Sequence, residues 1–430
     1  MTDNYIVKEF NGSKNIEVEV PGSKSITNRA LMLAAQQNGI CRLKGVLFSD
    51  DSRAFLSCLQ ELGFDVNIQE DIKTVDIKGL GGKIPNRNAK INVRSAGTAA
   101  RFLTAMLAFA GGDYLLESSE QMKKRPMKPL IDLLRSIGVT VNCLENEGHF
   151  PFEIHSNGIN SNELIMDTTV SSQFVSAILM AGVMLKDGVK LKMSGSRTKG
   201  AYIKLTIQMM RQFGLEVIQN EDECIVPSNT TYNISEYQIE PDLSGACYFY
   251  AMAAVLNTSV IVKNVHTDSI QGDIKFLDVL KQMGCSMEET EKGICMKGTK
   301  DGSYPGVVID MNDFSDQTMT LAAIAPFATS KTIIKNIAHI RFQETDRISA
   351  IVNELTRLGI ECEDSEEYKG IVINPGKITP CEIETYDDHR MAMAFTLIGL
   401  RKKGITIKNY KCCAKTFENY FDIIDKLTEE

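Results

Sequence analysis

Val20-Pro21-Gly22-Ser23-Lys24-Ser25-Ile26-Thr27-Asn28-Arg29-Ala30-Leu31-Met32-Leu33-Ala34-Ala35 is the stretch whose reading decides the fold. A Pro-Gly break passes through small hydroxylated residues into an apolar, Ala-rich run of helical character. Ser25 or Thr27 is expected to cap that helix. The free N–H groups and positive dipole end of such a start favour an anion. Lys24 and Arg29 add two cations beside it. Taken alone, the stretch reads better as an ordinary capped core helix.

The same device returns at a period of about 72 residues, and self-similarity of that kind marks a repeat architecture. Ser95-Ala96-Gly97-Thr98, Ser171-Ser172-Gln173, Asp242-Leu243-Ser244-Gly245, Asp316-Gln317-Thr318 and Asp387-Asp388-His389-Arg390 each lead into an apolar, Ala-rich run. Alternating strands are expected after the helices, over 41–46, 114–117, 189–193, 259–265, 332–337 and 405–410. Five of the units continue into a second helix that ends in Gly and a further strand, over 59–66, 130–141, 203–217, 276–287 and 348–362. The pattern predicts an α/β chain of six repeats, split three and three.

A chain of 430 residues is too long for one ordinary core and fits two domains. Pro21-Gly22 and Glu240-Pro241 are the candidate crossings between them. The net charge of −8 argues against a nucleic-acid partner yet leaves room for a basic pocket. The 11 cysteines are scattered without a Cys-x-x-Cys pair, which fits reduced thiols in the cytoplasm. The start, Met1-Thr2-Asp3-Asn4, lacks a basic region followed by an apolar core, so no secretory signal is expected. No apolar run reaches the roughly 20 residues of a membrane span.

Lys24, Arg29, Arg101, Arg125, Arg347, Arg390 and Lys415 recur at the helix starts or in the loops beside them. One such cation is ordinarily a solvated surface charge. A set repeated at equivalent places predicts a cradle for phosphates or carboxylates, with Arg suited to bidentate binding. Among the carboxylates, Asp316 opens the fifth apolar helix, and Glu344 lies in Arg341-Phe342-Gln343-Glu344-Thr345-Asp346-Arg347. An acid and a base beside one cationic pocket suit proton transfers to and from a bound anion. From the residues alone, Asp316 reads equally well as a helix cap and Glu344 as a surface ion pair. The sequence carries no phosphate-binding Gly-x-x-x-x-Gly-Lys loop, no Gly-x-Gly-x-x-Gly and no His-x-x-x-His.

These residues resemble the EPSP synthase family of enolpyruvyl transferases along nearly the whole chain. The resemblance is carried by Pro-Gly-Ser-Lys-Ser-x-x-x-Arg at 21–29, Ala-Gly-Thr-Ala at 96–99, Arg125-Pro126-Met127 and Val-Ser-Ser-Gln-Phe at 170–174. Glu-Thr-Asp-Arg at 344–347, Asp-His-Arg-Met-Ala at 388–392 and Ala-Lys-Thr-Phe at 414–417 complete it. It implies a two-domain inside-out α/β barrel with three βαβαββ units per domain. Residues 1–21 and 241–430 would form one domain and 22–240 the other, with the active site in the cleft between them.

The implied reaction moves the enolpyruvyl group of phosphoenolpyruvate to the 5-hydroxyl of shikimate 3-phosphate, without metal or organic cofactor, in a cytoplasmic monomer. Carried over by position, Lys24, Asp316 and Glu344 would be catalytic. Lys24, Ser25, Arg29, Ser171, Ser172, Gln173, Tyr202, Asp316, His339 and Gln343 would hold shikimate 3-phosphate. Lys24, Gly97, Arg125, Gln173, Arg347, Arg390 and Lys415 would surround phosphoenolpyruvate. Glyphosate competes with phosphoenolpyruvate in this family, and Gly97 keeps the small residue that leaves room for it. Phe102 stands where Pro or Leu is usual and is expected to tilt the Gly97-Thr98 helix start. Other departures from the family pattern are Gln343 for Lys, His339 for Asn, Ser95 for Asn, and Lys199-Gly200-Ala201-Tyr202 for a Ser-Lys/Arg-Pro-Tyr segment.

Overall fold

The computed structural model of the protein describes residues 3–12, 14–168, 171–195, 200–228 and 231–429. Val170 and Lys199, which belong to two of the motifs above, lie outside the described residues. The chain forms two compact units, one of residues 1–21 and 240–430 and the other of residues 22–239.

Six helices lie at the centres of the repeats. They are α1 (Lys24–Gln36), α2 (Gly97–Ala110), α3 (Ser172–Gly182), α4 (Leu243–Leu256), α5 (Thr318–Ile324) and α6 (His389–Arg401). A helix that is apolar all round must be enclosed on every side, and these are. In α1 every residue from Ile26 to Gln36 is buried; in α4 every residue from Leu243 to Val255 is. Each fully buried Leu or Met of α1, such as Leu31, Met32 and Leu33, contributes about 1.5–3 kcal/mol by leaving water. The sheets of each unit lie outside its helices and alternate buried with exposed residues, as along Val189–Ser194.

Among the described residues each unit has three small sheets, five of the six being four-stranded and the last, which holds Thr406–Lys408, three-stranded. In four of the sheets one parallel pair brackets a central helix. Asn88–Asn92 pairs in parallel with Gly112–Glu117 across α2, and Glu163–Asp167 with Val189–Ser194 across α3. Val308–Asp310 pairs with Thr332–Lys335 across α5, and Glu382–Ile383 with Thr406–Lys408 across α6.

The other two helices have exchanged their leading strands. Asn15–Val18 precedes α1 in sequence but pairs with Ser259–Val262, the strand after α4. Glu236–Gln238 precedes α4 but pairs with Asn38–Lys44, the strand after α1. The chain therefore passes between units immediately before α1 and again immediately before α4.

The second helices end as their glycines require. Gly63, Gly138, Gly214, Gly284 and Gly359 follow them with φ between 79° and 95°, the left-handed geometry of a helix C-terminus. Two local expectations fail. Ser25 and Thr27 do not cap α1: the helix starts at Lys24 with Ser23 at the cap position, and Thr27 Oγ1 instead accepts from Leu47 N at 3.2 Å. The fifth apolar run, which reads as helix over 319–328, is not helical to its end. The helix ends at Ile324 and tightens into a 3₁₀ turn, Ala325–Phe327, because Pro326 supplies no N–H. No helix among the described residues is long and apolar enough to cross a membrane, and all eleven cysteines are unpaired.

Gly22 follows the first crossing, and a Cβ there would lie 1.9 Å from the Gly45 carbonyl oxygen. Gly22→Ala must push that backbone turn away, at the roughly 1–3 kcal/mol usual for overpacking. The urea midpoint of the variant should fall accordingly; an unchanged midpoint would show that the turn yields freely.

Candidate active site

In the unit of residues 1–21 and 240–430, the starts of α5 and α6 and the loop 338–346 bring charges together around Arg347. This arginine opens the helix Arg347–Arg357 and is 1% exposed. Its Nε donates to Asp388 Oδ2 at 2.8 Å, its Nη1 to Asp316 Oδ1 at 3.1 Å and its Nη2 to Glu344 Oε2 at 2.9 Å. Gln343 Oε1 also accepts from Nη1. Burial opposes the charge on Arg347, but Asp388, Glu344 and Asp316 outweigh it and hold its pKa above the ordinary arginine value.

The cluster continues on both sides. Arg390 Nη2 donates to Asp316 Oδ2 at 2.9 Å, and Lys415 Nζ lies 3.6 Å from Glu344 Oε1. Asp388 caps α6 by accepting from Arg390 N at 2.8 Å. His389 is buried with Nδ1 3.9 Å from Asp388 Oδ1. Asp316 lies in a 3₁₀ turn, Ser315–Gln317, and spends its carboxylate on two arginines. His339 Nε2 and Ser315 Oγ are 2.7 Å apart, so the imidazole braces the residue next to Asp316. The structure thus joins Asp316, Gln343, Glu344, Arg347, Arg390 and Lys415 directly and reaches His339 through Ser315.

In the unit of residues 22–239, cations and aromatic rings link the starts of three helices. Arg29 is buried; its Nε donates to Thr206 Oγ1 at 2.8 Å, its Nη1 to Ser25 O at 2.9 Å, and its Nη2 to Ser176 Oγ and Tyr202 O, both at 3.3 Å. Its guanidinium stacks on Phe102 and Tyr202, with centroids 5.3 and 5.8 Å away. Burial pulls its pKa down to about 10, which leaves it charged at neutral pH. Phe102, expected to tilt the start of α2, packs fully buried beneath this arginine.

Arg101 donates to Gly97 O at 2.8 Å and lies over Phe174 of α3. Gly97 leaves the space that two guanidiniums fill: a Cβ there would lie 2.4 Å from Arg125 Nη1 and 2.5 Å from Arg101 Nη1. Ser171 caps α3 by accepting from Gln173 N at 3.2 Å, with Ser172 buried behind it. Ser95 Oγ lies 2.8 Å from Ser119 Oγ and so anchors the segment that carries Arg125. Lys24 Nζ is 3.5 Å from the buried carboxylate of Asp51.

Two carboxylates were not singled out from the sequence. Asp388 was quoted as part of a motif, yet its bond to Arg347 spans 41 residues and leaves no local trace. Asp51, second residue of the helix Asp50–Glu61, reads as an ordinary first-turn acid.

The comparisons with known proteins agree with one another. The family described as EPSP synthase (3-phosphoshikimate 1-carboxyvinyltransferase) matches residues 11–424. A 3-phosphoshikimate 1-carboxyvinyltransferase of Nostoc punctiforme is 41% identical over 429 residues, covering 100% of each chain. One from Vibrio atlanticus is 39% identical over 96% of each. The solved EPSP synthase of Acinetobacter baumannii, 24% identical, superposes with a TM-score of 0.81 over 99% of this chain and 98% of its own, which shows the fold.

Arg347→Met tests the cluster. Removing one partner of a buried ion pair costs about 3–5 kcal/mol because the remaining charges stay buried. Three carboxylates lose their shared cation, and their mutual repulsion is no longer offset while they are charged. The deficit in urea stability should therefore be largest above neutral pH and shrink as pH falls towards 5. A deficit that does not vary with pH would contradict this.

Proposed function

The chain belongs to the EPSP synthase family, and from that premise we propose how its own residues perform the reaction. The enzyme transfers the enolpyruvyl group of phosphoenolpyruvate to the 5-hydroxyl of shikimate 3-phosphate and releases phosphate, a step of the shikimate pathway. The observation that carries the residue assignment is Arg347, whose one guanidinium bonds both Asp316 and Glu344. It holds a base and an acid a fixed distance apart.

In this reading Ser25, Arg29, Ser171, Ser172, Gln173, Tyr202, His339 and Gln343 hold shikimate 3-phosphate. Gly97, Arg125, Gln173, Arg347, Arg390 and Lys415 surround phosphoenolpyruvate, and Lys24 serves both substrates. Asp316 takes the proton of the 5-hydroxyl as its oxygen attacks C2 of phosphoenolpyruvate. Glu344, protonated once substrate draws Arg347 and Lys415 from it, gives that proton to C3, which becomes a methyl group, and the product of addition is a tetrahedral ketal. In the second half Glu344 takes a proton back from that methyl group, the C2–O bond to phosphate breaks, and the proton on Asp316 leaves with the phosphate.

Substrate anions compete with Asp316 and Glu344 for the cations that bind them. Each new bond from Arg347, Arg390 or Lys415 to substrate loosens a carboxylate for proton transfer, and the same cations favour the phosphate leaving group. We further place the enzyme in the cytoplasm as a monomer; its eleven unpaired cysteines support a reducing compartment.

Glu344→Gln keeps the shape but cannot transfer a proton. Turnover should fall about 10²-fold or more, with both substrates still binding in isothermal titration. Near-normal turnover would make Glu344 structural and the mechanism wrong.

Gln343→Lys tests the altered position. An added cation beside a bound phosphate makes a charge-assisted hydrogen bond worth about 1.5–3 kcal/mol. Shikimate 3-phosphate should bind at least tenfold more tightly to the variant. Equal or weaker binding would show that Gln343, already an acceptor for Arg347, does not face the phosphate.

A further inference from the structure

One more buried carboxylate faces the cluster. Asp273 sits in the 3₁₀ turn Gly272–Ile274, ahead of the helix Lys275–Gln282, and is 8% exposed. Its Oδ2 accepts from Ser244 Oγ, in the first turn of α4. Ser244 Oγ lies 3.5 Å from Arg390 Nη2, the nitrogen that donates to Asp316 Oδ2. A hydroxyl has one hydrogen to give. Given to Asp273, it leaves the lone pairs of Ser244 facing Arg390. The orientation of the hydroxyl depends on Asp273 as its acceptor.

We propose that Asp273 is a positioning residue whose negative charge, acting through Ser244, holds Arg390 against Asp316. The proposal rests on the roles given above to Arg390 and Asp316. Asp273 touches no substrate in it; it sets how far Arg390 is committed within the protein before an anion arrives.

The surroundings define its charge. From α4 it meets Ser244, Asp242, which caps that helix by accepting from Gly245 N, and Cys247, whose Sγ donates to its carbonyl at 3.7 Å. From the turn before α5 it meets Asp316, and from α6 Arg390. Lys275 on its own helix is engaged by Asp313 at 2.6 Å. Burial, and after it the charge of Asp316, push the Asp273 carboxyl up to about 7, against the pull of Arg390 and the Ser244 bond. Its ionisation therefore falls within the working range. Above neutral pH the added negative charge competes with substrate for Arg390; below it that competition fades.

The test is the Michaelis constant for phosphoenolpyruvate from pH 6 to 8 in wild type and in Asp273→Asn. The amide keeps an acceptor oxygen for Ser244 but cannot ionise. Ionisation of the substrate is common to both enzymes, so the ratio of their constants isolates Asp273. That ratio, wild type over variant, should be near one at pH 6 and rise about threefold or more by pH 8. Ser244→Ala keeps the carboxylate and cuts the link. It should lower kcat about fivefold and move the rise in the Michaelis constant to higher pH, because the hydroxyl no longer stabilises the ionised form. If Asp273→Asn fails to fold, as read by circular dichroism, Ser244→Ala decides alone.

A flat ratio for Asp273→Asn, or an unmoved profile for Ser244→Ala, overturns the proposal. Arg390→Lys separates the two levels. If it raises the constant while the Asp273 and Ser244 profiles stay unmoved, the positioning role fails alone. If it leaves the constant unchanged, the reading of Arg390 fails as well.

Discussion

A guanidinium with almost no access to water must have its charge answered on every side, and Arg347 is answered by Asp388, Asp316 and Glu344. This constraint fixes the geometry of the proposed chemistry. Arg347 starts one helix, Asp388 caps another and Asp316 lies in the turn before a third. None can move far without leaving a buried charge unpaired, a cost of several kcal/mol. Asp316 and Glu344 are held in register by a group that itself belongs to the core. In the proposed mechanism the same pairing keeps them occupied until a substrate anion competes for their cations.

The repeat architecture makes such a cluster possible. A central helix buried on all faces has no free surface for charge along its length, so its polar groups collect at the ends. Each N-terminus offers unsatisfied N–H groups; the starts of α5 and α6 place Asp316 and Arg390, and Arg347 comes to them from the start of a second helix. The exchange of leading strands between α1 and α4 follows from where the chain passes between units: each helix begins directly after a crossing, while its leading strand stays behind.

The repeat was legible because each unit repeats both its apolar run and its break. Residues such as Gly63 and Gly138 announced the ends of second helices through the left-handed geometry that only glycine adopts cheaply. Ser25 and Thr27 are good caps in isolation, yet α1 starts at Lys24 with Ser23 at the cap position. Arg347, Asp316 and Glu344 were legible as charged residues near helix starts and through the family resemblance. Their mutual bonding was not, because Asp388 and Asp316 reach Arg347 across 41 and 31 residues. The bond between Asp273 and Ser244 is hidden for the same reason: a polar pair 29 residues apart carries no local pattern.

The central claim is that release of phosphate from phosphoenolpyruvate is coupled to a second, phosphorylated substrate. Phosphate release by the purified enzyme, measured with and without shikimate 3-phosphate, tests it most directly. The account predicts release only when both are present, in equal amount to the enolpyruvyl product formed. Release at a similar rate from phosphoenolpyruvate alone, or no release with both present, would contradict it.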